Sequence, residues 1–530
     1  MNKLKQYFDE KNSVKSATII LIVTLLLSNI LGMLRDHFIA QKIPTDILDT
    51  YYAAFRIPDL IFNLLILGAI AAAFIPVFTS YIAKKNMKEG WHIANSFINL
   101  SITGIIIMAI IMAIIMPKVM PLIVPDFDSQ KMELTIKLAR IMLISPILFG
   151  LSYILGGILN SFKRFLVYSI APLIYNLSII IFTILFADSL GVYGVVFGVI
   201  TGAFLHMLIQ LPVVIKLGYR YQPTADWKDP GVKRIFRLMI PRAIGLGAMQ
   251  ILLLVYTFLA SKLQPGSIAI FNLADNIQTM PVVVFGTSFA TALFPSLSET
   301  FSLKKFNDFT NLFWKGTRAV LYLLIPSGIG VILLRAQIVR LILGSGHFGW
   351  EQTIETANIL GFFAISLFAQ GLIPLFARVF YSYQNTRTPM YVSIFSIITS
   401  IILGSIFAPI YGIIGLGLAF SIGSLLNALT LYLIARKKIN LITLEEKNVF
   451  YFILKIVIST ALMALVVQLT KSIIGSLVDM ERFWGVLCQT SLAIIFGSGV
   501  YLYLTYLLKC EEIKEIIQLF LKRFNNGKQK

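Results

Sequence analysis

Residues Asp49–Phe78 read DTYYAAFRIPDLIFNLLILGAIAAAFIPVF. From Leu60 to Phe78 the stretch carries no charge. A run of that length and apolarity is what a helix needs to cross ~30 Å of hydrocarbon. Similar runs recur along the whole chain. Of 530 residues, 57% are hydrophobic and the mean hydropathy is +0.83. Charged residues make up 13%, about half the ~25% of a typical soluble domain. This composition excludes a soluble enzyme. It also excludes a disordered chain, which needs low hydrophobicity. The bilayer is the main solvent.

Working outward, the apolar runs define fourteen expected spans: 15–38, 50–82, 91–116, 133–160, 166–187, 191–216, 237–262, 266–298, 312–335, 353–382, 388–409, 411–435, 449–470 and 484–508. The longest exceed a bilayer and must tilt or kink. Pro58, Pro76, Pro146, Pro241, Pro281, Pro295, Pro326 and Pro374 are the expected kink points. The expected fold class is an all-α polytopic membrane protein. Residues 1–15 are polar, and the first apolar run is too long for a cleaved signal, so the N-terminus reads as a cytoplasmic lead-in.

The charge distribution orients these spans. With the N-terminus inside, 31 of the 45 Lys and Arg fall on cytoplasmic segments and 9 on external ones. The other five, Arg56, Lys137, Arg140, Arg242 and Lys455, lie inside spans. An even span number with both termini cytoplasmic follows. The net charge of +20 then reads as positive-inside bias and attraction to anionic membrane lipids, and not as a nucleic-acid footprint.

The chain also repeats. NSFKRFLVYSIAPLIYNLSIII, from Asn160, parallels YSYQNTRTPMYVSIFSIITSII, from Tyr381. GVYGVVFG around Tyr193 parallels IYGIIGLG around Tyr411, and AAAFIPVFTSY around Phe74 parallels ATALFPSLSET around Phe294. One offset, close to 220 residues, relates all three pairs. Six spans fit one period, so the copies share an orientation: two parallel six-helix lobes related by an axis along the membrane normal, a transporter architecture. The expected division is 1–222 for the N-lobe and 223–440 for the C-lobe. Residues 441–530 supply two extra spans and a basic cytoplasmic tail, which reads as an amphipathic helix on the membrane.

Catalytic chemistry has no constellation here. His37, His92, His206 and His347 are dispersed, and each reads as interfacial or packed. Cys488 and Cys510 form no disulfide or metal-spacing pattern. A Walker A sequence is lacking. What stands out is charge within apolar spans, where it is costly and ordinarily faces a cavity or a partner. Asp49, Arg56 and Asp59 share the second span. Asp49 and Arg56 lie two turns apart on one face, and Asp59, three residues beyond Arg56, is placed to pair with it. The bland reading is an ion pair that fixes helix packing. The functional one is a cationic wall for an anionic substrate, since the planar guanidinium fork suits phosphate oxygens. Arg35, at the end of the first span, has the alternative of snorkelling to the interface. Arg242 follows Pro241 within the seventh span. Asp275 and Asn276 occupy the eighth, the repeat placing Asn276 opposite Arg56. Arg378 ends the tenth, where positive-inside bias is the simpler reading.

GMLRDHFIA (32–40), the stretch quoted first, ALFPSLSE (292–299), GSGHFG (344–349) and FYSYQNTRTP (380–389) together resemble the MurJ/MviN family, lipid II flippases of the MOP exporter superfamily that also contains MATE-like transporters. The resemblance covers essentially the whole chain, including the lobe period and two extra C-terminal spans. It implies alternating access of two lobes around a central cationic cavity that takes the pyrophosphate and sugar–peptide headgroup. It also implies a groove on the last two spans for the polyprenyl tail. By position, Arg35, Asp49 and Arg56 fall on family cavity positions and Asp275 on the acidic position of the eighth span. The chain departs from the family pattern at Asn29, Phe62, Asn63, Leu67 and Asn276, where charged residues are usual. A sodium site known in the family would fall on Arg242 and Asn385, which do not suit it.

The expected function is flipping of lipid II, or a similar undecaprenyl-pyrophosphate glycolipid, across the bacterial cytoplasmic membrane. No cofactor is expected. Membrane potential or a monovalent ion is the energy source to consider, and cell-wall synthesis proteins are candidate partners. The alternatives are a flippase for another polyprenyl-pyrophosphate oligosaccharide, a cation-coupled multidrug exporter, and a non-transporting scaffold.

Overall fold

The computed structural model describes residues 14–64, 73–439 and 444–514. All regular structure among them is helical. The helices are α1 (Val14–Lys42), α2 (Thr45–Phe62), α3 (Ile75–Ala83), α4 (Met87–Ile123), α5 (Ser129–Met142), α6 (Ile144–Ser161), α7 (Phe165–Leu190), α8 (Val192–Leu208), α9 (Leu211–Lys216) and α10 (Pro230–Ser261). They continue as α11 (Ser267–Pro281), α12 (Ser288–Ser302), α13 (Phe306–Leu343), α14 (Trp350–Ile365), α15 (Leu367–Ser382), α16 (Arg387–Tyr411), α17 (Ile413–Ile439), α18 (Leu444–Leu477) and α19 (Phe483–Leu507). The chain is a multi-pass membrane protein.

Fourteen spans were expected. Among the described residues, 11 helices are long and apolar enough to cross a membrane, or up to 12 when a bent pair is taken as one span. That pair is α14 and α15, bent by 46° at Ser366. The second expected span runs through residues 65–72, which lie outside the described residues together with Leu67. The seventh falls on α10 (Pro230–Ser261), whose described apolar stretch is Gly247–Ser261; the side chains of residues 240–242 and 244–246 lie outside the described residues. The C-terminal tail beyond residue 514 also lies outside the description.

The repeat seen in sequence reaches the backbone. Gly191 (φ +56°) joins α7 to α8, and Gly412 (φ +61°) joins α16 to α17. A Cβ on Gly194 would meet the Phe186 carbonyl carbon at 2.9 Å, and a Cβ on Gly415 would strike the backbone of Phe407. Glycine is needed at these places because the second helix of each pair starts against the last turn of the first. The helix-ending turns at Lys163 (φ +61°) and Gln384 (φ +56°) match in the same way. Lys163 and Arg164 donate to Asn160 and Leu159, while Gln384 and Asn385 donate to Tyr381 and Phe380, the Schellman pattern in each case.

Two compact units result, Met1–Asn272 with Ser345–Gly349, and Leu273–Gly344 with Trp350–Lys530. In the first, α7 packs along both α8 and α1, and α2 lies on α5. In the second, α16 pairs with α17 and α18 with α19, while α13 packs on α14, α15, α18 and α19. Phe313, Tyr322, Leu324 and Phe380 fill the core of that unit. Outward faces of α18 and α19 expose Leu465, Leu469, Ile473, Ile494, Ile495 and Phe496, as helices do when lipid is the solvent.

Candidate functional site

Asp49 projects from the first turns of α2 and is buried. One carboxylate oxygen accepts from the N–H of Gly266 at 2.6 Å and the other from the N–H of Ala269 at 2.8 Å. It thus caps the N-terminus of α11, where orphan N–H groups and the helix dipole favour an anion. Gly266 (φ +93°) makes the turn that aims those donors. Asp49 fixes a helix end.

Arg56 lies two turns further along α2 and is 7% exposed. Its Nε donates to Thr257 Oγ1 at 2.6 Å and its Nη2 to Asn272 Oδ1 at 2.8 Å. Both partners are themselves tied down. Thr257 donates to the Leu253 carbonyl at 2.8 Å, and Asn272 to the Ile268 carbonyl at 2.6 Å. Two neutral oxygens, from α10 and α11, are among the partners that hold the guanidinium. The anticipated pairing of Asp59 with Arg56 is not formed: among the described residues Asp59 makes no ion pair. Helical spacing put the two side chains on neighbouring turns, but Thr257 and Asn272 claim the fork.

Arg35 instead pairs within its own helix. Its Nε and Nη2 reach Asp36 Oδ1 at 3.0 and 2.7 Å, and Nη1 donates to Asn176 Oδ1 at 3.2 Å. Asn176, on α7, donates back to the Ser28 carbonyl at 3.3 Å. Asp59 lines a cavity of about 220 Å³ walled by Phe55, Phe62, Phe149, Tyr153 and Tyr175. His206 lies in the same wall. It is hydrogen-bonded through Nδ1 to Ser152 Oγ at 2.6 Å, and Gln210 Nε2 donates to that hydroxyl at 2.7 Å. Phe62, where a basic residue was the family expectation, packs 5.4 Å from Phe149 and 5.1 Å from Tyr153.

In the second unit, Asp275 Oδ1 accepts from Gln278 Nε2 at 2.8 Å. Gln278 Oε1 accepts from Gln370 Nε2 at 2.8 Å, Gln370 also reaches Ser366 Oγ at 3.0 Å, and Ser366 donates to Ser421 Oγ at 3.0 Å. This polar chain, buried at Gln278, Ser366 and Ser421, runs to the bend between α14 and α15. Asn276 is exposed on α11. Arg378 donates to the Thr287 carbonyl at 3.3 Å and to Thr291 Oγ1 at 2.8 Å. Thr287 ends a π-helical turn, Val282–Thr287, which joins α11 to α12, and its carbonyl also accepts from the Thr291 hydroxyl at 2.6 Å. Arg242 lies on α10, with its side chain outside the described residues.

The structure therefore brings Asp49 and Arg56 to neighbouring parts of α10–α11, and it places Asp59 in an aromatic cavity. The sequence reading missed Thr257, Asn272 and Asn176, the three neutral residues that orient the arginines. Only Asn272 had a signal, being one turn from the Asn276 that the repeat singled out. The geometry holds an arginine fork within a largely apolar helix.

A sequence model of the family described as lipid II flippase MurJ matches residues 45–487. The chain is 29% identical over 516 residues to the probable lipid II flippase MurJ of Vibrio cholerae serotype O1, covering 94% of this chain and 96% of that one. A solved structure of lipid II flippase MurJ in an inward closed conformation superposes with a TM-score of 0.78 at 25% identity, covering 92% of this chain and 98% of that one. An inward-facing MATE family multidrug resistance transporter of the MOP superfamily gives a TM-score of 0.67 at 16% identity, covering 79% and 98%. That second likeness is one of fold.

Proposed function

The chain belongs to the lipid II flippase MurJ family, and from that premise we propose that it moves the lipid II headgroup from the cytoplasmic to the external leaflet by alternating access. It is a transporter, not an enzyme. Its residence is the bacterial cytoplasmic membrane with both termini inside, and cell-wall synthesis proteins are its expected neighbours. The observation that carries the reading on this chain's own residues is Arg56, buried in α2 and aimed by Thr257 and Asn272. The guanidinium is charged at every physiological pH and fixed at one point of the span, and a positive charge there favours an anionic headgroup nearby.

Flipping requires no bond to break. It requires a polar surface that replaces headgroup hydration, and two conformations close enough in energy for substrate to choose between them. Arg35 and Arg56 supply the cationic surface in this reading. Asp49 positions α11 behind Arg56, and Asp59 sets the polarity of the aromatic cavity. Asp275, Asn276 and Arg378 serve the second lobe, with Arg242 contributing from α10. The N-lobe at 1–222, the C-lobe at 223–440 and the appended spans from 441 remain the proposed working parts.

Phe62 in the aromatic wall favours one second reading, a flippase for a different polyprenyl-pyrophosphate-linked oligosaccharide, because a headgroup meeting that wall meets ring faces in place of positive charge. Complementation separates the two. The wild-type chain and Arg56→Ala are expressed in a bacterium whose own lipid II flippase can be shut off. Growth with the wild type and none with Arg56→Ala, at equal membrane abundance, supports lipid II flipping through Arg56. Growth with both removes Arg56 from the mechanism. Growth with neither, at normal insertion, turns the assignment toward the other glycolipids.

A further inference from the structure

In the first unit, the chain between α9 and α10 is strapped to α4. Asn95 Nδ2 donates to the Arg220 carbonyl at 3.0 Å, and Asn95 Oδ1 accepts from the Gln222 N–H at 3.1 Å. Asn99 Nδ2 donates to the carbonyls of Gln222 and Thr224 at 2.8 and 2.7 Å. At the end of the strap α10 starts against α4, so closely that a Cβ on Gly231 would lie 2.6 Å from Ile93 Cδ1. This packing brings Asp226 and Asp229 to His92, on the first turns of α4. One ligand atom from each of the three lies within 4.8 Å of the other two. Asp226 Oδ1 accepts from the N–H groups of Lys228 and Asp229 at 2.8 and 3.2 Å. Asp229 Oδ1 accepts from those of Gly231 and Val232 at 2.7 and 3.1 Å. His92 Nε2 and Asp226 Oδ2 stand 3.7 Å apart, too far for a hydrogen bond. The two side chains are 37% and 46% exposed, so an ion from solution reaches them.

Ligand atoms of one tetrahedral ion, bound at about 2.0–2.2 Å, stand roughly 3.4 Å apart. The gap between His92 and Asp226 is of that size, and a small turn of the exposed imidazole closes the rest. Turn and cap roles account for the two Oδ1 atoms, but not for the convergence of both carboxylates on an imidazole. Carboxylates already oriented through one oxygen are good ligands through the other. Charge alone does not select the ion. Lys88, Lys228, Lys233 and Arg234, each within five residues of a ligand in sequence, outnumber Glu89 and offset the two aspartates. Mg²⁺ and Ca²⁺, which rely on all-oxygen shells, gain little there. A borderline ion gains from the imidazole nitrogen. We propose that His92, Asp226 and Asp229 bind a divalent transition-metal ion of the zinc kind, and that the ion pins the connection between α9 and α10 to α4. The proposal stands independently of what the candidate site transports.

The test uses the purified full chain in detergent, its affinity tag removed and its metals stripped by chelation. Zinc binding is measured by competition with a chromophoric chelator, and thermal unfolding is followed with Zn²⁺, Mg²⁺ or Ca²⁺ added. Wild-type protein binds one Zn²⁺ with a Kd below about 10 µM and unfolds at a temperature that rises with zinc. Millimolar Mg²⁺ or Ca²⁺ leaves that temperature unchanged. His92→Gln folds as wild type and binds zinc at least about tenfold more weakly. Asp226→Asn, which keeps the turn acceptor, does the same, and His347→Gln on a distant loop binds as wild type. Hydrogen exchange of residues 219–229 slows with zinc in the wild type and not in His92→Gln. Zinc binding weaker than about 10 µM in the wild type overturns the proposal, as does wild-type affinity in His92→Gln, or an equal loss in His347→Gln. Equal stabilisation by Ca²⁺ overturns the assignment to a transition ion, and exchange at 219–229 that ignores zinc overturns the pinning of the connection.

Discussion

Asp49 and Gly266 meet at 2.6 Å, carboxylate to backbone N–H, across 217 positions of sequence. The second oxygen takes the N–H of Ala269, so α2 supplies the cap of α11 in place of a residue in the helix's own lead-in. Losing a capping carboxylate costs about 1–2 kcal/mol. Asp49→Ala therefore unfolds at lower temperature than wild type, and Asp49→Asn, which keeps an acceptor, falls between them. Thermal unfolding in detergent measures the order. Both variants retain flipping in proportion to the folded protein present. An Asp49→Asn protein of wild-type stability with no function would instead put the carboxylate on the substrate.

That cap also marks where the sequence stops being legible. Spans are readable because a bilayer demands long apolar runs, and the repeat is readable because Gly191 and Gly412 must each be glycine at positive φ. The charged residues inside spans stood out for the same reason. Their partners did not, because backbone N–H groups at Gly266 and Ala269 leave no residue-type signature, and Thr257 and Asn272 look like any other polar residue of a helix. Charge complementarity suggested Asp59 for Arg56, whereas neutral oxygens hold it. The aromatic cavity around Asp59 is equally hidden, being assembled from α2, α6, α7 and α8.

The π-helical turn after α11 packs on a glycine contact. A Cβ on Gly286 would lie 2.5 Å from the Cα of Gly371 on α15. Backbone at that position has no rotamer to adjust, so the helices must part. Overpacking of this kind costs about 1–3 kcal/mol. Gly286→Ala is expected to lower the unfolding temperature and to reduce complementation even where membrane abundance is normal, since π turns and bent helices are sites where helices flex. Unchanged stability in Gly286→Ala would remove this contact from the account.

Gly346 lies in GSGHFG at φ +58°, where a Cβ would strike the backbone of Gln41 at the end of α1. The loop is tied there by the His347 N–H donating to the Gln41 carbonyl at 3.1 Å. Gly346→Ala meets both a left-handed backbone cost of about 1–2 kcal/mol and the clash. It is predicted to be more destabilising than Ser345→Ala beside it, as compared by thermal unfolding. Equal effects would mean that the loop shifts freely off α1.

Cys510 follows α19 and is buried. Burial, reinforced by the Glu512 carboxylate, pushes its thiol above the ordinary range, against the opposing pull of Lys455 and Arg318. The folded protein thus keeps the thiol proton to higher pH than the unfolded chain. Thiolate is the reactive species, so maleimide labelling of native Cys510 at pH 8 is slower than in denaturant by at least tenfold. The rate rises as pH passes through the elevated value. The stability linked to this proton is present below the unfolded thiol's pKa and is lost as pH rises through the folded one. Mass spectrometry of the labelled peptide reads the rate, and equal rates folded and unfolded at pH 8 would refute the buried, protonated thiol.

Arg56 and Thr257 allow orientation to be separated from charge. Thr257→Val keeps the volume and removes the hydroxyl that receives Nε. Leaving a buried donor unsatisfied costs about 1–3 kcal/mol, and the guanidinium loses one of its guides. Arg56→Lys keeps the charge but has no fork to span Thr257 and Asn272. If the site works by presenting a fixed guanidinium to an anion, each single variant weakens complementation to an intermediate level and Arg56→Ala abolishes it. Adding Thr257→Val to Arg56→Lys then costs little more, because the interaction that the hydroxyl served is already gone. Growth titrated against induced expression, at matched membrane abundance, reads all four variants. Full additivity of the two losses would show that Thr257 acts apart from Arg56, and wild-type growth with Arg56→Lys would show that positive charge alone, without the fork, suffices.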